Sequence, residues 1–376
     1  MHISKLIRSL DWPFFLSIII LTLIGMVSIY SSSKSFVSTD IGIKKQILSQ
    51  LVFVIVAIII YFVFTSLNIY FLQNFSFYFY LLGIFLLIMT LLLGKTVNQS
   101  KSWLDLGILS FQPSEFMKIA FILYLAYFFG KKSFLHLFDF FKSILILLVP
   151  LTLILFQPDL GTALVYVFIW ICMVFASTLS FRLKISLLLF AFMVPIIFLV
   201  SIQANIISLK PYQIDRMRVF PDHLYLSNLY HDDVGYQVDQ SLIAIGSSGM
   251  FGKGLSMGTQ SQYGFLPESL NDFVYSATVE EMGIFVGIII IILIFYLIWR
   301  IYMISTLNIP SSIYFLLVGI ISMISFHVIQ NVGMNLGVMP VTGIPMPFIS
   351  MGGSFLITIY ALLGMSESVY LRYQST

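Results

Sequence analysis

The chain has 376 residues, 59% of them hydrophobic and only 9% charged, where a soluble domain carries about 25% charged residues; a soluble enzyme is excluded. Its formal net charge of +3 is too small, and its basic residues too dispersed, to point to nucleic acid. The single cysteine, Cys172, sits in an apolar run, which excludes an internal disulfide and leaves the thiol to packing.

A hydrocarbon core about 30 Å thick needs roughly 20 apolar residues per helix. Ten runs of that order occur, over 14–33, 47–66, 75–94, 113–130, 142–157, 160–177, 183–203, 274–299, 310–332 and 348–371. They are apolar all round rather than alternating, which points to helices and away from an outer-membrane barrel. The expected fold is an all-α polytopic membrane protein, a single domain over 1–376. It has about ten transmembrane helices and a large extracytoplasmic loop between the seventh and eighth. Lys5 and Arg8 before the first run resemble the start of a signal peptide. That run is long for a signal core and nine more follow, so a retained first helix is expected. Lys and Arg in the short loops set orientation. With both termini inside, nine of them lie inside, among them Lys131, Lys132, Arg182, Lys184 and Arg300, against five outside, Lys34, Lys44, Lys45, Lys95 and Lys101. Residues 95–112, 204–273 and 333–347 then face outward.

The first helix opens with Asp11 and Trp12 at the interface and Pro13 where its missing N–H costs nothing. The second and third runs carry no charge and read as lipid-facing walls. In the loop after Gly94, Trp103 and Asp105 read first as an interfacial belt. Pro113, Ser114 and Glu115 then make a helix start, and Lys118, three residues after Glu115, shares its face. A charge inside a membrane segment costs at least about 2.5 kcal/mol. The pair reads equally as a structural ion pair or as the wall of a site. Asp159, in FQPDLGTA, stands at a helix start that favours a carboxylate, so a cap is its favoured reading.

The outer loop 204–273 is far longer than usual, and such loops are mostly functional or disordered. Its aromatics and its glycines at turns argue against disorder. Arg216 and Arg218 flank Met217 within it. Segment 240–254, QSLIAIGSSGMFGKG, reads as a short re-entrant helix with a glycine turn, tolerated at membrane depth only against protein or a water-filled cavity. Lys253 reads equally as a phosphate contact or a solvated turn lysine, because no βαβ unit surrounds it. Glu268, Asp272, Glu280 and Glu281 follow, four of the sixteen carboxylates gathered just before and inside one apolar run. His327, with Gln330 and Asn331, reads as a bonded core histidine. The proline- and glycine-rich segment 333–355 is a rigid irregular loop. It ends on Gly352, Gly353 and Ser354 near a helix start whose N–H groups can hold an anion. No HExxH or CxxC spacing occurs, so no intrinsic zinc or haem site is indicated.

The stretches DWPFFLSIIILTLIGMVSIYSSS, WLDLG, FQPSEFMKIA, QPDLGTA, GYQVDQSLIAIGSSGMFGKG, GTQSQYGFLPESLNDFVYSATVEEMG and NVGMNLGVMPVTGIPMPFISMGGS together resemble the shape, elongation, division and sporulation (SEDS) family. The likeness runs in order along nearly the whole chain. The Asp-Trp opening, WLDLG and GTQSQ-FLPE favour the rod-shape branch over the division branch. The resemblance implies a ten-helix peptidoglycan glycosyltransferase that polymerises lipid II on the outer side of the bacterial cytoplasmic membrane during elongation and shape maintenance. It implies a class B penicillin-binding protein and other elongation-complex proteins as partners. It puts the family's essential loop aspartate on Asp272, its QPSExxK pair on Glu115 and Lys118, and its loop arginine on Arg216. The chain departs from the family where HTD becomes Leu270–Asn271–Asp272, where the first loop arginine is Ile214 (with Arg218 a candidate substitute), and where SYGGSS becomes Ser350–Met351–Gly352–Gly353–Ser354–Phe355.

On this reading Asp272 takes the proton from an acceptor hydroxyl. Arg216, Lys118 and Lys253 face the departing diphosphate, with Trp103 and Ser354 in support. Magnesium or manganese is the one cofactor this chemistry invites. Three alternatives stand beside it: Asp272 pairing structurally with Lys118, a lipid II flippase, and a non-catalytic scaffold of the wall-synthesis complex. The product discriminates: polymer, translocated monomer, or neither.

Overall fold

The computed structural model describes residues 9–36, 40–97, 100–105, 110–131, 137–182, 184–185 and 234–374. Asp11 starts the helical part. Its carboxylate accepts the Phe14 N–H at 3.4 Å and caps α1 (Trp12–Phe36). There follow α2 (Asp40–Ser66), the short α3 (Ile69–Asn74) and α4 (Ser76–Leu93). After the strands described below come α5 (Pro113–Gly130), α6 (Leu137–Phe156) and α7 (Leu160–Ala176). The C-terminal part holds α8 (Val234–Ser247), α9 (Thr259–Gln262), α10 (Val274–Met282), α11 (Ile284–Ser305), α12 (Ser311–Asn335) and α13 (Gly353–Tyr373). Among the described residues, α1, α2, α4, α6, α11, α12 and α13 are long and apolar enough to cross a membrane, and α7 is a shorter apolar helix. The chain is a multi-pass membrane protein.

Burial ranks these helices. α13 is the most enclosed of the candidate spans and α2 the least. α2 and α13 pack along each other, with Gly364 so close that a Cβ there would stand 2.5 Å from the Tyr61 carbonyl oxygen. Small residues give membrane helices this approach, since lipid supplies no hydrophobic drive between them. α2 is a lipid-facing wall on one side only: Leu48, Ile55 and Ile59 are exposed, while Ala57 and Tyr61 are buried. α5 is enclosed by α4, α12 and α13.

Two expectations change, and a third falls outside the described residues. Residues 95–112 are not wholly irregular. They hold a small antiparallel sheet, β1 (Lys95–Val97), β2 (Ser100–Asp105) and β3 (Ser110–Phe111), in the order β1-β2-β3. Lys101 donates from this sheet to the last carbonyls of α4, Leu91 at 2.8 Å and Leu92 at 3.0 Å, which neutralises orphaned acceptors at a helix end. The apolar run 274–299 is two helices, α10 and α11, broken at Gly283 with φ +91°. A Cβ there would stand 2.3 Å from the Met250 carbonyl oxygen, so only glycine fits both the backbone angle and the contact. The run at 183–203 lies almost wholly outside the described residues, so the seventh helix is not among those seen.

The expected short helix with a glycine turn is present. α8 ends at Ser247, and the glycine turn beyond it pairs its backbone with the α10–α11 junction. Lys253 N–H donates to Glu280 O at 2.9 Å and Gly254 N–H to Glu281 O at 3.0 Å. In return Ile284 N–H donates to Gly249 O at 3.1 Å and Phe285 N–H to Met250 O at 3.2 Å. The turn thereby satisfies the first donors of a membrane span, which lipid cannot do.

Candidate functional site

The site forms where the starts of α5, α7, α10 and α13 meet the loop between α12 and α13. Pro113 and Glu115 open α5, and Lys118 follows one turn later. Lys118 Nζ lies 2.7 Å from Glu115 Oε1, with the two side chains 1% and 4% exposed. Burial of this order makes the ion pair dependent on its partners, because a charge removed from water must be matched. The third member is His327 on α12, whose Nε2 lies 3.3 Å from Lys118 Nζ. Its Nδ1 lies 3.2 Å from the Pro345 carbonyl oxygen. A carbonyl only accepts, so Nδ1 carries the hydrogen and Nε2 accepts from the ammonium. The imidazole stacks on Phe355 at 4.5 Å, and the same ring lies beneath Lys118 Nζ at 5.4 Å. Glu115 Oε2 and Ser114 Oγ are buried with no hydrogen-bond partner among the described residues. The pair thus keeps acceptor capacity on one side.

Asp272 stands just ahead of α10, partly exposed. A Cβ on Gly343 would stand 3.5 Å from Asp272 Oδ2, so the carboxylate lies against this glycine, whose φ is +72°. Gly343 next to Asp272, Ile344 accepting from Asn331 at 2.8 Å, and Pro345 accepting from His327 are three successive residues. One stretch of loop therefore runs from the aspartate to the histidine that contacts the buried cation.

The other expected site residues fall as follows. Ser354 Oγ accepts the Gln112 N–H at 3.2 Å, tying the start of α13 to the start of α5. Asp159 caps α7 through Thr162 N–H at 3.0 Å and Thr162 Oγ1 at 2.8 Å, the expected role. Trp103 is partly buried in β2 opposite Lys95, in a sheet where Lys95 also pairs with Asp105. Arg216 and Arg218 lie outside the described residues. Lys253 is not brought to Asp272. Its ammonium contacts Ser247 Oγ at 2.7 Å, Thr259 Oγ1 at 2.7 Å and Glu280 Oε1 at 2.8 Å. Glu280 is eight residues beyond Asp272, about 12 Å along a helix. Burial alone would raise the Glu280 carboxyl. Lys253 and the N–H groups of Gln260 at 2.8 Å and Ser261 at 2.9 Å outweigh it and hold the group below its ordinary value.

The family profile described as cell cycle protein, grouping FtsW, RodA and SpoVE, matches residues 11–374. The chain belongs to this family. Within it the chain is RodA-like. It is 31% identical to the peptidoglycan glycosyltransferase RodA of Treponema pallidum, over 97% of this chain and 98% of that one. Among solved structures it matches a chain of a peptidoglycan synthase complex, studied for the coordination of polymerization and crosslinking, at a TM-score of 0.80 and 28% identity over 96% of this chain and 98% of that one. It also matches the rod shape determining protein RodA of Thermus thermophilus, at a TM-score of 0.67 and 26% identity over 96% of this chain and 97% of that one.

Membership accounts for the ordered motifs but not for every side chain that builds this member's site. His327 was expected to be a bonded core residue, which it is, yet its partner is the site lysine. Tyr166, buried on α7 and donating to the Ser114 carbonyl at 2.7 Å, was not anticipated. Its spacing of seven from Asp159 puts it on the same helix face as that cap, which is the one signal the sequence offered. Among the described residues no group of three or more His, Cys, Asp or Glu side chains could hold a metal ion.

Proposed function

We propose that this chain polymerises lipid II into glycan strands on the outer face of a bacterial cytoplasmic membrane, during elongation and shape maintenance. The observation that supports the reading is that one stretch of loop, Gly343 to Pro345, lies against the partly exposed carboxylate of Asp272 at one end and bonds His327, the neighbour of the buried cation Lys118, at the other. The acceptor sugar's 4-hydroxyl oxygen forms a bond to the anomeric carbon of the donor. The bond from that carbon to the phosphate oxygen breaks, and the lipid diphosphate leaves. Asp272 takes the acceptor's proton, a role that contributes typically 10²–10⁴-fold. Lys118 and Arg216 favour the charge growing on the leaving diphosphate. Glu115 and His327 hold Lys118 in place. Trp103 and Ser354 support the rim, and Lys253 supports the site by fastening the re-entrant turn.

Magnesium or manganese fits this chain only as an ion carried by the substrate. Such ions ordinarily take one or two carboxylates plus substrate phosphates, and Asp272 offers one; no step above runs through it. A class B penicillin-binding protein, which would crosslink the strands, is the proposed partner alongside other elongation-complex proteins. The excess of Lys and Arg in alternate loops supports both termini being cytoplasmic.

The test is polymerisation of labelled lipid II by the purified chain with its cognate penicillin-binding partner carrying an inactive transpeptidase. Wild type should give polymer, and Asp272→Asn, at equal folding, should lower turnover by at least about 10²-fold. Polymer from Asp272→Asn at the wild-type rate would sink the base assignment. Translocated monomer without polymer would sink the activity.

A further inference from the structure

Three consecutive peptide carbonyls ending at Asp272 are each held by a donor from α12 or the loop after it. Leu270 O accepts from Met351 N–H at 2.9 Å, and Asn271 O from Ser350 Oγ at 2.7 Å. Asp272 O accepts from two side chains, Asn331 Nδ2 and Asn335 Nδ2, each at 3.0 Å. The two asparagines are one helical turn apart on α12 and fully buried, so they present their amides to the same point.

Asn335 does a second thing. The residue before α10 is Phe273, which makes no side-chain cap. The α10 donor that a capping residue would satisfy, Ser276 N–H, goes to Asn335 Oδ1 at 3.1 Å, and Ser276 Oγ donates to the same oxygen. Two donors on one atom identify it as the oxygen and settle which way the amide points. The nitrogen then faces the Asp272 carbonyl and, at 2.8 Å, the Asn331 carbonyl one turn earlier. A cap normally comes from the residue before the helix; here it comes from a different helix, and the same side chain fixes the peptide that carries the carboxylate.

We propose that Asn335, seconded by Asn331, is a positioning residue for Asp272: it caps α10 from α12 and, by holding the Asp272 peptide, fixes the carboxylate against Gly343. The inference rests on the reading of Asp272 as the catalytic base. Misplacing a reacting group by about 1 Å costs on the order of 10²-fold in rate.

The test is Asn335→Asp, which keeps the side chain's size and an acceptor for Ser276 but removes both N–H donors. Asn331→Ala is the second variant; it removes one of the two donors to Asp272 O, together with the bond to Ile344 O, and leaves the α10 cap untouched. Initial rates on labelled lipid II are measured per mole of folded protein, in the complex with the penicillin-binding partner. Asn335→Asp should lower kcat about 10²-fold with KM within about twofold of wild type, and Asn331→Ala should do the same to a lesser degree. A merely structural asparagine lowers the yield of folded protein without changing kcat per folded molecule; that result overturns the proposal. So does a rise in KM that matches the fall in kcat. If Asn335→Asp does not fold, Asn331→Ala decides alone by the same two readouts. An Asp272→Asn variant at wild-type rate would remove the base reading itself, whereas an inactive Asp272→Asn beside a fully active Asn335→Asp would remove only the positioning role.

Discussion

Replacing Lys118 by methionine separates what the buried ion pair does for stability from what it does for chemistry. Lys118→Met keeps the length of the side chain but leaves the Glu115 carboxyl, 3% exposed, without its ammonium. Breaking one partner of a buried pair costs about 3–5 kcal/mol. At roughly 2 cal/mol/K per residue, the 376 residues carry an unfolding entropy of about 0.8 kcal/mol/K, so Tm should fall by about 5 °C. Helices that persist in the unfolded membrane state reduce that entropy and enlarge the shift. The double variant Glu115→Leu/Lys118→Met removes both charges, and apolar replacement of a whole buried pair is often neutral or stabilising. Its Tm should return to within about 2 °C of wild type while polymerisation of lipid II stays lost. The assay is thermal unfolding in one detergent beside turnover of labelled lipid II. A Tm for Lys118→Met within 1 °C of wild type, or full activity in the double variant, would refute the reasoning; the second result would leave the pair a purely structural one.

Gly283→Ala should detach the glycine turn from the α10–α11 junction, because it sets a Cβ against the Met250 carbonyl at a backbone angle L-residues rarely adopt. Strain of this kind costs about 1–3 kcal/mol, and hydrogen exchange at Lys253 and Ile284 should accelerate; unchanged rates would count against it. Glu280 yields a pH prediction. Its carboxyl is held below the ordinary value in the fold, so its stabilisation is complete above the unfolded value of about 4.3 and is lost as pH falls toward the folded one. Proteolysis of 248–263 should therefore quicken only in acid. In Lys253→Met, where burial acts without the ammonium, the onset should move to higher pH. An onset that is the same in both proteins would disprove the coupling.

The membrane spans were legible because the bilayer sets their length and because an apolar run has few other uses in a chain this greasy. The expected segment 75–94 differs by one residue at each end from Ser76–Leu93, and 14–33 lies within Trp12–Phe36. The cap on Asp159 was legible too, since a cap is satisfied three residues away. What was hidden acts over distance. The break at Gly283 falls inside a run that reads as one helix, and its cause is a carbonyl thirty-three positions earlier, at Met250. The strands at 95–111 are too short and too rich in lysine to show a period. Lys253 could not be assigned from its own neighbourhood, because the carboxylate that takes its charge is on α10. The asparagines that hold Asp272 come from α12, beyond a complete intervening span.

Glu280 and Glu281 are both buried in the last turn of α10, the end of a helix where the backbone dipole repels negative charge. Nothing in α10 itself makes that position tolerable for two acids. The donors are supplied from outside: the Lys253 ammonium, N–H groups at the start of α9 and, for Glu281, the amide of Gln262 at 2.6 Å. The glycine turn and α10 therefore act as one cooperative unit, since lifting the turn leaves two buried carboxyl groups without their donors. Any displacement of this region is then cheapest away from the turn, and Asp272 stands at the opposite end of α10 from the end that is locked.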